Sequence, residues 1–267
     1  MSESPLNIPN EYVHWQEVKS QIKDEFNSAQ LQMIQHYLHD FGRDLPINKI
    51  INELKAQRPI QYIVGQAYFH KYHFEVNDST LIPRPETEEL CQFILDTCTN
   101  TDLKICDLGT GSGCILNTLL LENKSWTGIG IDIDQSALKT ATQNAIFWKT
   151  INRAEWLQMD ILNMQNLPQG NILISNPPYI PKEELYQLDK NVVAYEPHLA
   201  LFVEKDPLIF YKKINNLFQH EETYTDLFFE CHQNYIEDLM SFLLAEKIKA
   251  KKIEDLSQNP RFIHIVK

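Results

Sequence analysis

The sequence predicts an α/β protein: a doubly wound parallel sheet with a small N-terminal helical domain and a connecting β-hairpin. Three observations carry that prediction. Short apolar runs alternate with helix-period segments through the larger, C-terminal part of the chain. A glycine-rich turn stands between the first of those runs and the helical pattern after it, as at the ligand-binding edge of open α/β sheets. Ahead of both, residues 11–57 carry only three-to-four spacing.

Within residues 11–57 the recurring positions are Val18, Ile22, Phe26, Leu31, Ile34, Leu38, Ile47, Ile50 and Leu54, interrupted near Gly42 and Pro46. They predict a helical domain over residues 1–65. Between residues 66 and 83 the pattern changes to aromatic and β-branched residues around a polar Asn77-Asp78-Ser79 cluster, predicting a linking hairpin. Residues 84–267 then carry the sheet, with strands expected at Leu103–Leu108, Gly128–Ile131, Trp156–Met159, Asn171–Ser175, Leu227–Phe229 and Phe262–Val266. Lys247, Lys249, Lys251 and Lys252 read as a solvated face.

A chain of 267 residues can bury its own core without staples. Its formal net charge of −12 and lack of a long basic run argue against nucleic acid as the main partner. Cys91, Cys98, Cys106, Cys114 and Cys231 are odd in number and form no Cys-x-x-Cys pair, so reduced thiols in a cytoplasmic setting are expected. The segment Met1–Asn10 is polar and proline-interrupted, and no apolar run approaches the roughly 20 residues of a membrane span. A soluble, unexported monomer is the expectation. His70 and His73 lack companion acids, so a structural role is expected for them and no metal site is predicted.

Asp107-Leu108-Gly109-Thr110-Gly111-Ser112-Gly113 follows an apolar strand and precedes the helical positions Ile115, Leu116, Leu119 and Leu120. Glycine permits close approach of a ligand to backbone and the positive φ of a tight turn. A dinucleotide fingerprint wants a glycine where Cys114 stands, and the third glycine comes one residue early. Gly-x-Gly-x-Gly after an acid instead resembles methyltransferase motif I, which implies S-adenosylmethionine. Asp107 would supply negative potential to that cationic ligand. Asp132, ending the second strand, would accept from the ribose hydroxyls. Asp160 and Ile161 could contact the adenine, although helix capping by Asp160 fits as well.

The strand ending at Ser175 runs into Asn176-Pro177-Pro178-Tyr179, at the same sheet edge as the glycine loop. The prolines make this turn rigid. A planar nitrogen with two N–H bonds can donate one to the Asn176 oxygen and one to the Pro177 carbonyl, leaving its lone pair toward a methyl donor. Tyr179 could stack on a planar substrate group. No general base is required, because the cationic N-alkylated amide formed by attack is far more acidic than the starting amide and can lose its proton to water.

These motifs, together with Leu81-Ile-Pro-Arg-Pro-Glu-Thr-Glu88, Arg58-Pro-Ile-Gln-Tyr-Ile-Val-Gly65 and Tyr195-Glu196-Pro197, resemble the HemK/PrmC family of release-factor glutamine methyltransferases. The resemblance implies a Rossmann-like class I methyltransferase fold and N5-methylation of the glutamine in the Gly-Gly-Gln motif of class I peptide chain release factors. It further implies cofactor contacts at Gly109 to Gly113, Asp132 and Asn176, a glutamine site at Asn176 to Tyr179, and Arg84, Glu86 and Thr87 bordering that pocket. Two stretches depart from the family pattern: Phe202-Val-Glu-Lys-Asp206-Pro207-Leu208 replaces a glycine-rich segment, and Asp255-Leu-Ser-Gln-Asn-Pro-Arg261 lacks a usual glycine. The residues alone leave two rivals, an adenine-N6 nucleic-acid methyltransferase and a catalytically weak cofactor-binding protein.

Overall fold

The computed structural model describes residues 11–42 and 44–267, with the side chains of residues 11–14 outside that description. The polar segment Met1–Asn10 therefore lies outside the described residues. The chain forms two compact units, the first ending at Gln66 and the second spanning Ala67–Lys267.

Among the described residues four helices build the first unit: α1 (Glu11–Ile22), α2 (Ser28–Phe41), α3 (Ile47–Lys55) and α4 (Ile60–Val64). Asn27 starts α2 with a capping box, its side chain accepting from the Gln30 N–H while the Gln30 side chain accepts from its own N–H. Val18, Ile22, Ile34, Ile50 and Leu54 are buried, whereas Phe26, Leu31, Leu38 and Ile47 are only partly covered. Trp15, Tyr37 and Ile51 complete the buried set from α1 to α3.

In the second unit, β1 (Gln66–Phe69) and β2 (Tyr72–Glu75) form the hairpin. Its turn is His70-Lys71, with His70 at φ 57°, and not the Asn77-Asp78-Ser79 cluster expected from the sequence. That cluster makes a separate turn, in which the Asn77 side chain accepts from the Ser79 N–H. Phe69 and Phe74 enter the core beside Leu90, Ile94 and Ile105. The Trp148 indole N–H donates to the His73 carbonyl at 2.8 Å, so the hairpin is held to the larger unit by polar contacts as well.

The sheet alternates with helices: α5 (Pro85–Thr97), β3 (Lys104–Leu108), α6 (Cys114–Glu122), β4 (Thr127–Asp132), α7 (Gln135–Phe147), β5 (Ala154–Gln158) and β6 (Ile172–Ser175). There follow β7 (Ile180–Pro181), α8 (Lys190–Tyr195), α9 (His198–Leu201), β8 (Phe202–Val203), α10 (Ile209–His220), β9 (Asp226–Glu230), α11 (Ile236–Ala245), β10 (Ala250–Glu254) and β11 (Pro260–Val266). The seven-stranded order is β10-β11-β9-β6-β3-β4-β5. Only β11 runs against the others, antiparallel to both neighbours. Both faces are covered, which is why the central strands are apolar without alternation. Cys106, Leu108, Leu173 and Phe229 face one core layer, while Ile105, Ile174 and Phe228 face the other.

Strand β10 was not expected, because Lys251 and Lys252 obscure its pattern. Both lysines are exposed on an edge strand, where charge discourages pairing with another chain. The turn between β10 and β11 manages without glycine: Gln258 takes the left-handed conformation at φ 64°, and Asp255 accepts from the Asn259 N–H and the Arg261 Nε. Among the described residues no helix is long and apolar enough to cross a membrane.

Candidate active site

Strands β3, β4 and β6 end side by side, and a cleft of about 270 Å³ opens over their carboxyl ends. Gly109, Gly111, Asp132, Asp160, Ile161, Asn176 and Pro178 line it. The two sequence motifs are thus brought together, and one hydrogen bond locks them: the Ser175 hydroxyl donates to the Leu108 carbonyl at 2.7 Å.

The three loop glycines divide by role. Gly109 (φ 77°) and Gly111 (φ 54°) both need the left-handed region, and a Cβ on either would meet nothing within 4 Å. They leave the cleft floor bare. Gly113 (φ 73°) also starts α6, but a Cβ there would press on Trp156 at 2.8 Å, Asn117 at 2.9 Å and Ala141 at 3.0 Å. Its smallness serves packing, and it lies away from the cleft lining. Thr110 and Ser112 are likewise buried under the loop.

Asp107 lies wholly buried beneath this loop. Its Oδ2 accepts from the Thr110 hydroxyl at 2.6 Å. Its Oδ1 is buried with no hydrogen-bond partner among the described residues, while the Leu116 backbone amide acts to hold the carboxyl's pKa down. Burial pushes this carboxyl up to about 7, opposed by the Thr110 hydrogen bond. Asp132 serves the loop directly, accepting from the Gly111 N–H at 2.9 Å through Oδ2 and from the Asp134 N–H at 3.0 Å through Oδ1. Desolvation raises its pKa, and these backbone bonds oppose the rise. Each oxygen keeps a free lone pair.

Asp160 caps the short 3₁₀ turn Ile161–Asn163, accepting from the Leu162 N–H at 2.9 Å and the Asn163 side chain at 2.6 Å. It lines the cleft while doing so.

Asn176 is half-buried, Pro177 buried. The Asn176 Nδ2 faces the Thr87 hydroxyl at 3.4 Å, and Thr87 donates to the buried Glu230 at 2.7 Å. Among the described residues no group donates to Asn176 Oδ1 or to the Pro177 carbonyl. Tyr179 does not line the cleft. It packs on the core under the sheet, 5.5 Å from the His232 ring, and burial pushes its hydroxyl up to about 12. Arg84 reaches the buried Glu196 at 2.7 and 2.8 Å, bracing the segment whose next residue, Pro197, lines the cleft. Glu86 is half-buried and outside the lining.

Several lining residues escaped the sequence reading: Ile133, Met159, Leu199, Phe202 and Phe210. Ile133 and Leu199 carry a faint signal, being apolar yet 47% and 66% exposed. Phe202 opens the stretch that departs from the family pattern, and Phe210 stands two residues beyond its end. There Asp206 does what glycine would otherwise allow, accepting from the Leu208 N–H at 2.9 Å and pairing with Lys212 at 2.8 Å. Among the described residues no three His, Cys, Asp or Glu side chains could hold a metal ion.

The family described as Methyltransferase small domain matches residues 86–196. A release factor glutamine methyltransferase from Flavobacterium psychrophilum is 39% identical over 226 residues, 81% of this chain and 78% of that protein. Its counterpart from Staphylococcus aureus is 35% identical over 253 residues, 90% of this chain and 88% of the other. Among solved structures, the hMettl16 catalytic domain in complex with a MAT2A 3'UTR hairpin superposes with a TM-score of 0.60 at 14% identity, covering 72% of this chain and 74% of that one. That likeness carries the Rossmann-like methyltransferase fold alone. Sequence identity sustained over most of two full relatives goes further, and by it the chain belongs to the release factor glutamine methyltransferase family.

Proposed function

We propose that the cleft binds S-adenosylmethionine and that the Asn176–Tyr179 turn holds a glutamine side chain, in the Gly-Gly-Gln motif of a class I peptide chain release factor, for methylation at N5. The observation that carries this reading is the pair of free acceptors, Asn176 Oδ1 and the Pro177 carbonyl, on a rigid turn beside a bare glycine floor. The unpartnered Asp107 oxygen under that floor suits a cationic ligand.

When bound, S-adenosylmethionine supplies an electrophilic methyl group. Asp132 holds the ribose with its remaining lone pairs, while Gly109 and Gly111 let the ligand approach backbone. Thr110, Ser112 and Gly113 support the loop from below. Ile161 packs against the adenine, and Asp160 holds Ile161 in place through its cap. Asn176 and Pro177 accept the two N–H bonds of the glutamine amide, turning its lone pair toward the methyl. As the N–CH3 bond formed and the methyl–sulfur bond broke, releasing S-adenosylhomocysteine, positive charge would gather on that nitrogen, and the two fixed oxygens would stabilise it. One N–H proton then passes to water. Pro178 lines the cleft beside them, and Tyr179 fixes the turn from the core side. The helical domain, residues 1–65, is assigned to holding the protein substrate, with residues 66–83 as the link and 84–267 as the catalytic domain.

The test is to incubate the protein with methyl-labelled S-adenosylmethionine and either a class I release factor or DNA, then map the label by mass spectrometry. Label on the Gly-Gly-Gln glutamine is expected. Label in DNA alone would overturn the reading in favour of adenine-N6 transfer.

A further inference from the structure

We propose that Glu230 is a positioning residue for Asn176: through Thr87 it sets which end of the Asn176 amide faces the substrate. The proposal rests on the glutamine reading above.

The topology brings these three residues together from distant parts of the chain. Strands β6 and β9 are parallel neighbours with Ser175 opposite Phe229, so the next residues, Asn176 just past β6 and Glu230 at the end of β9, stand side by side at the sheet edge. Thr87, in the first turn of α5, stands between them. It donates to Glu230 Oε2 at 2.7 Å and faces Asn176 Nδ2 at 3.4 Å. The second distance is long, as catalytic hydrogen bonds often are before substrate loads them.

A hydroxyl has one proton. With that proton committed to a carboxylate, Thr87 can only accept from Asn176, and the amide must turn its nitrogen to Thr87 and its oxygen away. The direction matters because a primary amide has the same shape after a half-turn. Reversed, Asn176 would present N–H to an N–H₂ group and repel it. The carboxylate also polarises the relay, strengthening Oδ1 as an acceptor.

Glu230 is buried, and its surroundings leave this task to it. Arg84 and Arg261 act to keep it ionised, and Glu86 acts the other way. Tyr179, Cys91 and Cys231 face it as neutral groups, and Tyr211 donates to its backbone carbonyl at 3.0 Å. Burial outweighs the arginines and pushes the carboxyl up to about 7. Once protonated, Glu230 donates to Thr87, the hydroxyl turns its own proton to Asn176, and the amide orientation is lost.

The experiment is steady-state methyl transfer to a class I release factor from roughly pH 6 to 8.5, with S-adenosylmethionine affinity measured by calorimetry. Wild-type kcat should fall as pH drops through about 7. Glu230→Gln keeps the shape without the charge: its kcat at high pH should be about 10-fold lower, its acid limb absent and its cofactor affinity unchanged. Thr87→Val should behave like Glu230→Gln, and Thr87→Ser, which restores the hydroxyl, should recover most of the rate. Wild-type kcat with an unaltered acid limb in Glu230→Gln, or wild-type kcat in Thr87→Val, overturns the relay while leaving the glutamine reading intact. If Glu230→Gln does not fold, the Thr87 pair decides alone. A wild-type protein that labels no glutamine overturns the glutamine reading, and the relay falls with it.

Discussion

The two sides of the reactive edge each rest on a fully buried carboxylate. Asp107 lies under the glycine loop and Glu230 behind the tetrapeptide, and burial pushes both up to about 7. Their uses differ. Asp107 keeps one oxygen without a partner among the described residues and with the other accepts from Thr110, three residues along the same loop. Glu230 bonds Thr87, 143 residues away, which faces Asn176 in turn. The loop side is the more local device, one short stretch around bare backbone tied to the adjacent strand β4 through Ile131 and Asp132. The tetrapeptide side is an assembled device, and its chemistry depends on segments that meet only in the folded sheet.

That contrast can be broken most sharply at Asn176. Asn176→Ala should lower kcat by about 10²- to 10³-fold, the loss seen when a fixed transition-state partner is removed. Cofactor affinity should change far less, and far-ultraviolet circular dichroism should not change. A comparable loss in binding as in rate would merge the two sides into one.

Within the loop, the glycines should separate. Gly113→Ala must force its Cβ against Trp156, Asn117 and Ala141 on top of its left-handed strain, so a loss of about 2–5 kcal/mol is expected in urea unfolding. Gly111→Ala meets no neighbour and costs only the left-handed strain of about 1–2 kcal/mol. Its methyl group enters the cleft, so calorimetry should show weakened cofactor binding there. Equal binding losses in both variants would contradict the division of roles.

Asp132→Ala should weaken cofactor binding by about 1–3 kcal/mol through lost charge-assisted hydrogen bonds, with some of the loss coming from the released Gly111 N–H. Unchanged affinity would remove the ribose assignment.

The smallest effect is on stability against pH. Asp107 and Glu230 bind a proton more tightly folded than unfolded, their ordinary values being 3.8 and 4.5. Their contribution to stability is therefore fully present below those ordinary values and is lost as pH rises through about 7. The cofactor-free protein should melt a few degrees lower at about pH 8 than at about pH 6, and Asp107→Asn and Glu230→Gln should each reduce that slope. A slope unaffected by either variant would mean that neither carboxyl titrates as the geometry requires.

Much of the fold was legible because local chemistry and final environment agree. The central strands are apolar through and through, as two-sided burial demands, and the glycine loop's positive φ values need glycine. Legibility failed where a residue's partner is remote. Strand β10 carries exposed lysines because it is an edge. The strongest local turn signal, Asn77-Asp78-Ser79, does form a turn, but the hairpin closes at His70 instead. Phe202 and Phe210 look like ordinary core residues until the β7–β8 pairing and α10 bring them to the cleft.

By itself the sequence determined the α/β class, the glycine loop and the tetrapeptide, since each is written in a contiguous stretch whose residue types restrict backbone or hydrogen bonding directly. The family pattern added the chemistry expected of them. Only the tertiary structure decided that Gly113 packs while Gly109 and Gly111 stay open, that Asp160 caps a turn while lining the cleft, that Tyr179 turns to the core, and that Thr87 and Glu230 stand behind Asn176. The physical reason is that space and hydrogen-bond direction belong to neighbours, and a parallel sheet chooses its neighbours across the chain, not along it.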